Sequence, residues 1–259
     1  MRKIIGIIQA RLGSTRLQGK VLLDLEGKPV LGHVIERVKK CRQVEEVLVA
    51  TTLASADAKI AELCLKIGVP VYRGSQDDVL DRYYQAAKLY QARQVVRITA
   101  DCPLIDPEVI DWVINVHLSQ GNDYTSNAVT DTFPDGEDVE VFSFHALEKC
   151  WHEANLASER EHLNPYIRKN RAKFKVGVLE CGQDYSRKRW TLDEPQDYEF
   201  IKLVYKNLYP GNPVFGMKEI LAFLELHPEA EKVNSGIIRN EGYLKSLKKD
   251  KVMEKRCSR

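Results

Sequence analysis

No stretch of this 259-residue sequence approaches the ~18–20 consecutive apolar residues that a membrane-spanning helix needs, so an integral membrane protein is not expected. Paired cysteine motifs are missing as well. The six cysteines stand singly, at positions 41, 64, 102, 150, 181 and 257, and none forms a CxxC. No export signal is read at the start, because Arg11 interrupts the opening MRKIIGIIQAR after too short an apolar run. Free thiols and a reducing cytoplasmic setting are therefore expected rather than a disulfide framework. The histidines at 33, 117, 145, 152 and 227 have no metal-ligand spacing with the cysteines and read as surface or core residues. An excess of one charge is lacking too: 39 Lys+Arg against 37 Asp+Glu leave +2, which argues against a nucleic-acid-coating surface and says nothing about local patches.

Pro/Gly/Ser linkers, low-complexity tracts and internal repeats are also absent. One domain over residues 1–245 is expected, with a change of rhythm near residue 121 that makes a split there the alternative. Residues 246–259 form a basic tail, part of the run KSLKKDKVMEKRCSR that starts at Lys245, and such a run reads as a solvated end.

What is present is an alternation of strands and helices. Ile4 to Gln9 is a β-rich apolar run that ends in a polar loop, followed by a helix entered at Pro29 with Val30, Leu31, Val34, Ile35 and Val38 on one face. Strand Val47 to Ala50 leads to a helix closed by Gly68, and strand Val69 to Tyr72 to a helix over Asp78 to Tyr90. Strand Val95 to Thr99 leads to a helix from about Pro107. This order predicts an α/β fold with a mostly parallel central sheet and helices on both faces. After Gly121 the pattern becomes α+β: strand-like DYTSN and VFSF, a helix around Leu147 to Ala154, a strand over Phe174 to Leu179, and helices through Ile201 to Leu208 and Lys218 to Leu226.

Ligands in such a sheet bind at the carboxyl ends of the strands. Directly after the first strand lies Arg11-Leu12-Gly13-Ser14-Thr15-Arg16-Leu17-Gln18-Gly19-Lys20. Three cations, two glycines and two hydroxyls in ten residues suit a polyanion, with backbone N–H groups approaching through the glycines. The alternative, a solvated basic turn, ranks second because strand-end loops tend to be functional. The loop is not a Walker motif, since Gly13 and Gly19 are one residue too far apart and Val21 follows the lysine where that motif has the hydroxyl that holds Mg²⁺. A metal would need other ligands. Asp101, at the end of VVRITAD and followed by Cys102-Pro103, suits Mg²⁺ opposite a triphosphate, although a lone Asp there can also merely cap a turn. A second carboxylate could come from RWTLDEP and its continuation, and spacing does not choose among Asp193, Glu194 and Asp197.

Gln9-Ala10-Arg11 through Lys20, with GKPVLGHVIERV, RITADCPLID and RWTLDEPQD, resembles the cytidylyltransferases that activate acidic sugars, among them the CMP-KDO and CMP-sialic acid synthetases. DVLDRYYQAA, DYTSN, FPDGEDVEVFSF, REHLNPYI and the late RNEGYLKSL are similar to the spore coat polysaccharide biosynthesis SpsF-like branch, and together these segments cover nearly the whole chain. The resemblance implies a glycosyltransferase-A-like nucleotidyltransferase fold that binds CTP and Mg²⁺, with residues 1–120 as the nucleotide half and 121–245 serving the acceptor and a homodimer. It implies that Arg11, Ser14, Arg16 and Lys20, with Gln9, Ala10 and Gly13 beside them, bind the nucleotide, and that Asp101 and Asp193 are the magnesium carboxylates. Gln9 departs from the proline usual in the synthetases.

The implied reaction is attack of an acceptor hydroxyl, typically of a sugar acid, on the α-phosphate of CTP, catalysed by positioning and neutralisation through Arg11, Lys20 and Asp101. In REHLNPY, Arg160 and His162 are acceptor-binding candidates, with Arg160 either a carboxylate clamp or one arm of a structural salt bridge. The acidic stretch Asp135, Glu137, Asp138 and Glu140 has the same two readings. Arg189 could line the site, whereas Trp190 reads as packed. A glycosyltransferase on the same fold lacks support, because Asp101-Cys102-Pro103 is not a DxD motif. A non-catalytic nucleotide-binding subunit is the remaining rival.

Overall fold

The computed structural model describes residues 3–237 together with Arg239, Leu247 and Asp250. The rest of the RNEGYLKSL segment, the remainder of the basic tail and Cys257 lie outside the described residues. The elements run β1 (Ile4–Gln9), β2 (Asp24–Leu25), β3 (Lys28–Pro29), α1 (Val30–Lys39), β4 (Glu46–Thr52), α2 (Ala58–Lys66), β5 (Val71–Gly74), α3 (Val79–Leu89), β6 (Gln94–Thr99) and α4 (Pro107–Gln120). They continue as β7 (Tyr124–Ser126), β8 (Glu140–Ser143), α5 (Phe144–Glu153), α6 (Ala157–His162), α7 (Asn164–Lys169), β9 (Val176–Val178), α8 (Pro195–Leu208) and α9 (Met217–Leu226).

Seven strands form one sheet in the order β5-β4-β1-β6-β8-β7-β9. The β5-β4-β1-β6 portion is parallel, and β8 enters antiparallel to both β6 and β7. Strand β1 is buried on both faces: Ile4 and Ile8 join one hydrophobic cluster with residues of α1, α4, α8 and α9, while Ile5 and Ile7 join a second with residues of α3, α5 and α7. An apolar run flanked by helical stripes therefore becomes a central strand between two helical layers, as its composition predicts. Charge is tolerated inside where a partner is built in. Arg97 of β6 lies opposite Glu140 of β8 in the antiparallel register, and their side chains form a close ion pair.

Three local features differ from the sequence reading. The strand expected over Val69 to Tyr72 begins at Val71, because Pro70 has no N–H to give the ladder and Val69 N–H donates back to the Cys64 carbonyl at 2.9 Å to close α2. A hairpin of two-residue strands, β2 and β3, ends at Pro29, directly before α1. REHLNPYI folds into parts of two short helices, α6 and α7, broken at Leu163, whose φ is +64°. The five described cysteines are free thiols.

Candidate active site

The parallel strands present their carboxyl ends at one rim. Because β8 runs the other way, its amino end reaches the same rim, and the segment between β7 and β8 lies there too. A cleft of about 1080 Å³ opens along this rim, lined by the loop after β1, the segment after β6, parts of the 128–140 segment, α6 and the loop before α8. The sequence-predicted residues Gln9, Ala10, Arg11, Gly13, Ser14, Arg16, Lys20, Asp101, His162 and Asp193 all line it.

The loop after β1 is tied down by a buried carboxylate. Asp57 accepts from the Leu12 amide at 2.7 Å and from the Thr52 hydroxyl. At the other end of the loop Gly19 adopts φ +65°, and the chain enters a single 3-10 turn at Lys20. This places the buried ammonium of Lys20 2.5 Å from Asp101 Oδ2 and 2.7 Å from Asp193 Oδ1. Burial opposes charge on Lys20, but the two carboxylates outweigh it and its pKa is raised. Burial likewise works against ionisation of Asp101, and the Lys20 ammonium overcomes it, holding the carboxyl down at about 2. Arg16 contacts Asp193 at 3.0 Å and Glu194 at 3.3 Å, while the half-exposed Arg11 stands 4.0 Å from Glu161.

The geometry separates the three carboxylates of the RWTLDEPQD segment. Asp197 is fully buried; its Oδ2 accepts from the amides of Asp193 and Glu194, both at 2.9 Å, and Arg189 grips its two oxygens at 2.8 and 2.9 Å. Glu194 pairs with Arg16. Asp193 is the one that meets Lys20. Arg189 also reaches Asp135 at 2.8 Å, and Asp135 in turn lies 4.0 Å from Arg239. Trp190 is fully buried. Asp101, Lys20, Asp193, Arg189, Asp135 and Arg239 thus form a chain of alternating charges across the cleft.

The far wall carries Asp131, Asp138, Glu140, His162 and Asn164. Arg239 binds Asp138 at 3.0 Å and Asp131 at 3.3 Å. Burial pushes the Asp138 carboxyl up to about 7 in spite of Arg239. Glu140 accepts from Arg97, from Tyr124 at 2.6 Å and from Asn164 at 2.7 Å. Burial, followed by the opposing pull of Glu161, leaves the His162 pKa below its ordinary value. Glu137 points away from the cleft: it is fully buried and accepts from the Asp106 amide at 2.8 Å.

Arg160 is placed apart from the other candidates. Its guanidinium is held by Asp78, the N-cap residue of α3, at 2.5 to 3.0 Å and donates to the Trp151 carbonyl at 2.7 Å. It is not among the residues that line the cleft, and the contacts it makes are those of the salt-bridge reading.

Residues 5–219 match the family model described as cytidylyltransferase. The chain belongs to the cytidylyltransferase family. As a cytidylyltransferase it is a nucleotidyltransferase that uses CTP. It is 32% identical over 242 residues, 89% of this chain and 97% of the other, to the spore coat polysaccharide biosynthesis protein SpsF of Bacillus subtilis. A 3-deoxy-manno-octulosonate cytidylyltransferase of Anaeromyxobacter sp. (strain K) is 41% identical over 117 residues, 44% of this chain and 47% of that one. The solved cytidylyltransferase structure from Leptospira borgpetersenii superposes with a TM-score of 0.86 at 36% identity, covering 92% of this chain and all of that one. The nucleotidyltransferase fold expected from the sequence is the fold observed.

Several residues on this cytidylyltransferase's cleft escaped the sequence reading: Arg82, Arg97, Asn164 and Arg239. Arg97 left a signal, since a charged residue within the apolar strand VVRIT requires a buried partner. Arg82, in the first turn of α3, is 1% exposed, donates to the Ser75 carbonyl at 2.7 Å and leaves its Nε without a partner. Nothing in DVLDRYYQAA distinguishes it from a surface arginine. Among the described residues no cluster of three or more His, Cys, Asp or Glu is placed to hold a metal. Two hard carboxylate oxygens converging on one cation, Lys20 Nζ, nevertheless fit Mg²⁺, which commonly takes one or two protein carboxylates and completes its shell with phosphate and water.

Proposed function

We propose that this cytidylyltransferase transfers CMP from CTP to a hydroxyl of a sugar acid, releasing pyrophosphate, in a pathway of surface or spore coat polysaccharide synthesis. The observation that carries the reading is the convergence of Lys20 on Asp101 and Asp193, with Arg11 and Arg16 on the same rim. Arg11, Arg16 and the loop amides bind the triphosphate, and Asp101 and Asp193 are the residues to hold Mg²⁺. That ion supplies neutralisation of phosphate charge. Asp57 and Gly19 keep the loop shaped so that Lys20 faces the same phosphates. The acceptor oxygen attacks the α-phosphorus in line, the bond from that phosphorus to the bridging oxygen of the β-phosphate breaks, and the hydroxyl proton leaves to water. The protein's share is orientation and charge compensation.

The acceptor side is the wall of Asp138, Glu140, His162 and Asn164, whose carboxylates and amide suit a polyhydroxylated sugar. That a partial relative is a 3-deoxy-manno-octulosonate cytidylyltransferase supports a sugar-acid acceptor. The proposal includes a homodimer joined through the second half of the chain and a cytoplasmic setting; sedimentation of the purified chain at monomer mass would remove the former. The reaction itself is tested by pyrophosphate release with CTP, ATP, GTP or UTP over a panel of acidic sugars with Mg²⁺. Release with CTP and one acidic sugar is expected. Tight CTP binding with no pyrophosphate from any acceptor would favour a non-catalytic subunit instead.

A further inference from the structure

Lys20 Nζ sits within 2.7 Å of one oxygen of Asp101 and one of Asp193, and the same Asp193 oxygen also meets Arg16 at 3.0 Å. Both oxygens assigned to the divalent cation are thus already engaged by the chain's own cations. The lysine is held there by construction. It is 8% exposed, starts a 3-10 turn after a left-handed glycine and has the buried Val21 beside it. Its backbone is fixed in the cleft wall, and only the ammonium end can change partners. A lysine suits this role better than an arginine, since it is a compact charge on a flexible stem.

Asp101 and Asp193 already share the positive charges of Lys20, Arg16 and, at 3.7 Å, Arg189. A bare divalent cation entering between the carboxylates must expel the ammonium from both of its ion-pair partners. A triphosphate arriving with the metal changes this, because its oxygens give Lys20 new partners as the carboxylates turn to the metal.

We infer that Lys20 is a resident ammonium plug of the divalent-cation position, so that the metal enters only together with a nucleotide's phosphates. This rests on the metal assignment under the proposed function and goes beyond it, since it predicts the order and coupling of binding. By linkage, the nucleotide must tighten metal binding by the same factor as the metal tightens nucleotide binding.

The test is Mn²⁺ binding to the full chain, read from the free-ion electron paramagnetic resonance signal and so independent of turnover and acceptor. Wild type without nucleotide is expected to bind Mn²⁺ weakly at this site, and CTP to strengthen that binding by at least ~10-fold once the Mn²⁺ held by CTP alone is subtracted, within the usual range of coupling factors. Lys20→Met, checked for fold by circular dichroism, should bind one Mn²⁺ without nucleotide at least ~10-fold more tightly than wild type. The double variant Lys20→Met/Asp101→Asn should lose that gain. Lys20→Met binding Mn²⁺ no more tightly than wild type would overturn the plug, as would tight wild-type binding without CTP. If Lys20→Met does not fold, Lys20→Gln takes its place, and a folded Lys20→Gln that binds Mn²⁺ no more tightly than wild type overturns the inference. Failure of the acceptor panel would leave these results standing, so the two readings fail separately.

Discussion

Asp57 shows how a residue can govern a site it does not touch. It anchors Leu12, and through it the whole cationic loop, by a charge-assisted bond from the amide. Asp57→Ala leaves that amide unpartnered, at a cost of about 1–3 kcal/mol; equilibrium CTP binding should weaken roughly 10-fold, and Asp57→Asn, which keeps an acceptor oxygen, should retain most of the affinity. Lys20→Ala and Asp101→Ala should each lower turnover at least ~10²-fold, as expected where a contact to phosphate or metal is made in the transition state; near-normal rates in folded Asp101→Ala would remove that residue from the metal site. Arg160→Met should instead lower stability, by roughly 3 kcal/mol as for a broken buried pair, measured as a shifted urea midpoint, with rate per folded molecule retained. At this scale the phosphate side was legible because its cations sit within ten residues of one strand end. The far wall was not, since Arg239 reaches Asp138 across about a hundred residues and Arg97 meets Glu140 only through strand register.

Elements were more legible than their ends. Apolar stripes at helical spacing located α1, α3 and α4, and apolar runs located β1, β4 and β6, because both patterns follow from burial that the sheet imposes. The short helices α6 and α7 carry too few turns to show a period, and their order comes from packing and from bonds such as Glu159 to the Asn155 and Leu156 amides. The 135–138 turn is an element set by close approach. Gly136 has φ +114°, and a Cβ there would lie 2.6 Å from the Thr191 amide nitrogen. Gly136→Ala should destabilise by at least about 2 kcal/mol through strain and clash, seen as a lower denaturant midpoint. Helix α4 carries a pH-dependent joint: His117 bridges Gln94 at 2.9 Å and Thr125 at 3.1 Å, and burial pulls its pKa down to about 4. The folded state thus prefers neutral imidazole, so unfolding binds the extra proton and stability falls as pH drops from about 6.5 to about 4, by up to about 3 kcal/mol. His117→Gln should remove that part of the slope in thermal melts across this window.

Across the molecule, the alternating-charge chain from Asp101 to Arg239 joins segments from both halves of the sequence. Arg189 is its middle member, touching Asp135, Asp193 and Asp197. Arg189→Met removes the cation that three carboxylates share; both stability and CTP affinity should drop, whereas the same change at Arg42, whose amide rather than guanidinium meets Asp111, should alter neither. The layered fold was foreseeable, since alternating strands and helices admit few arrangements. The antiparallel entry of β8 was not, because four residues of strand carry no record of which neighbour they will pair with.

That entry makes the cleft a gauge. Strands β6 and β8 are adjacent, held about 4.8 Å apart by their ladder; β8 begins at Glu140 opposite Arg97, and the chain leaves β6 at Thr99 just before Asp101. The carboxylate proposed for the metal and the wall proposed for the acceptor are therefore carried by neighbouring strands of one ladder. Acceptors should be sorted by where their reactive hydroxyl falls along this fixed span, so that adding or removing one carbon before that hydroxyl matters more than decoration at the far end of the sugar.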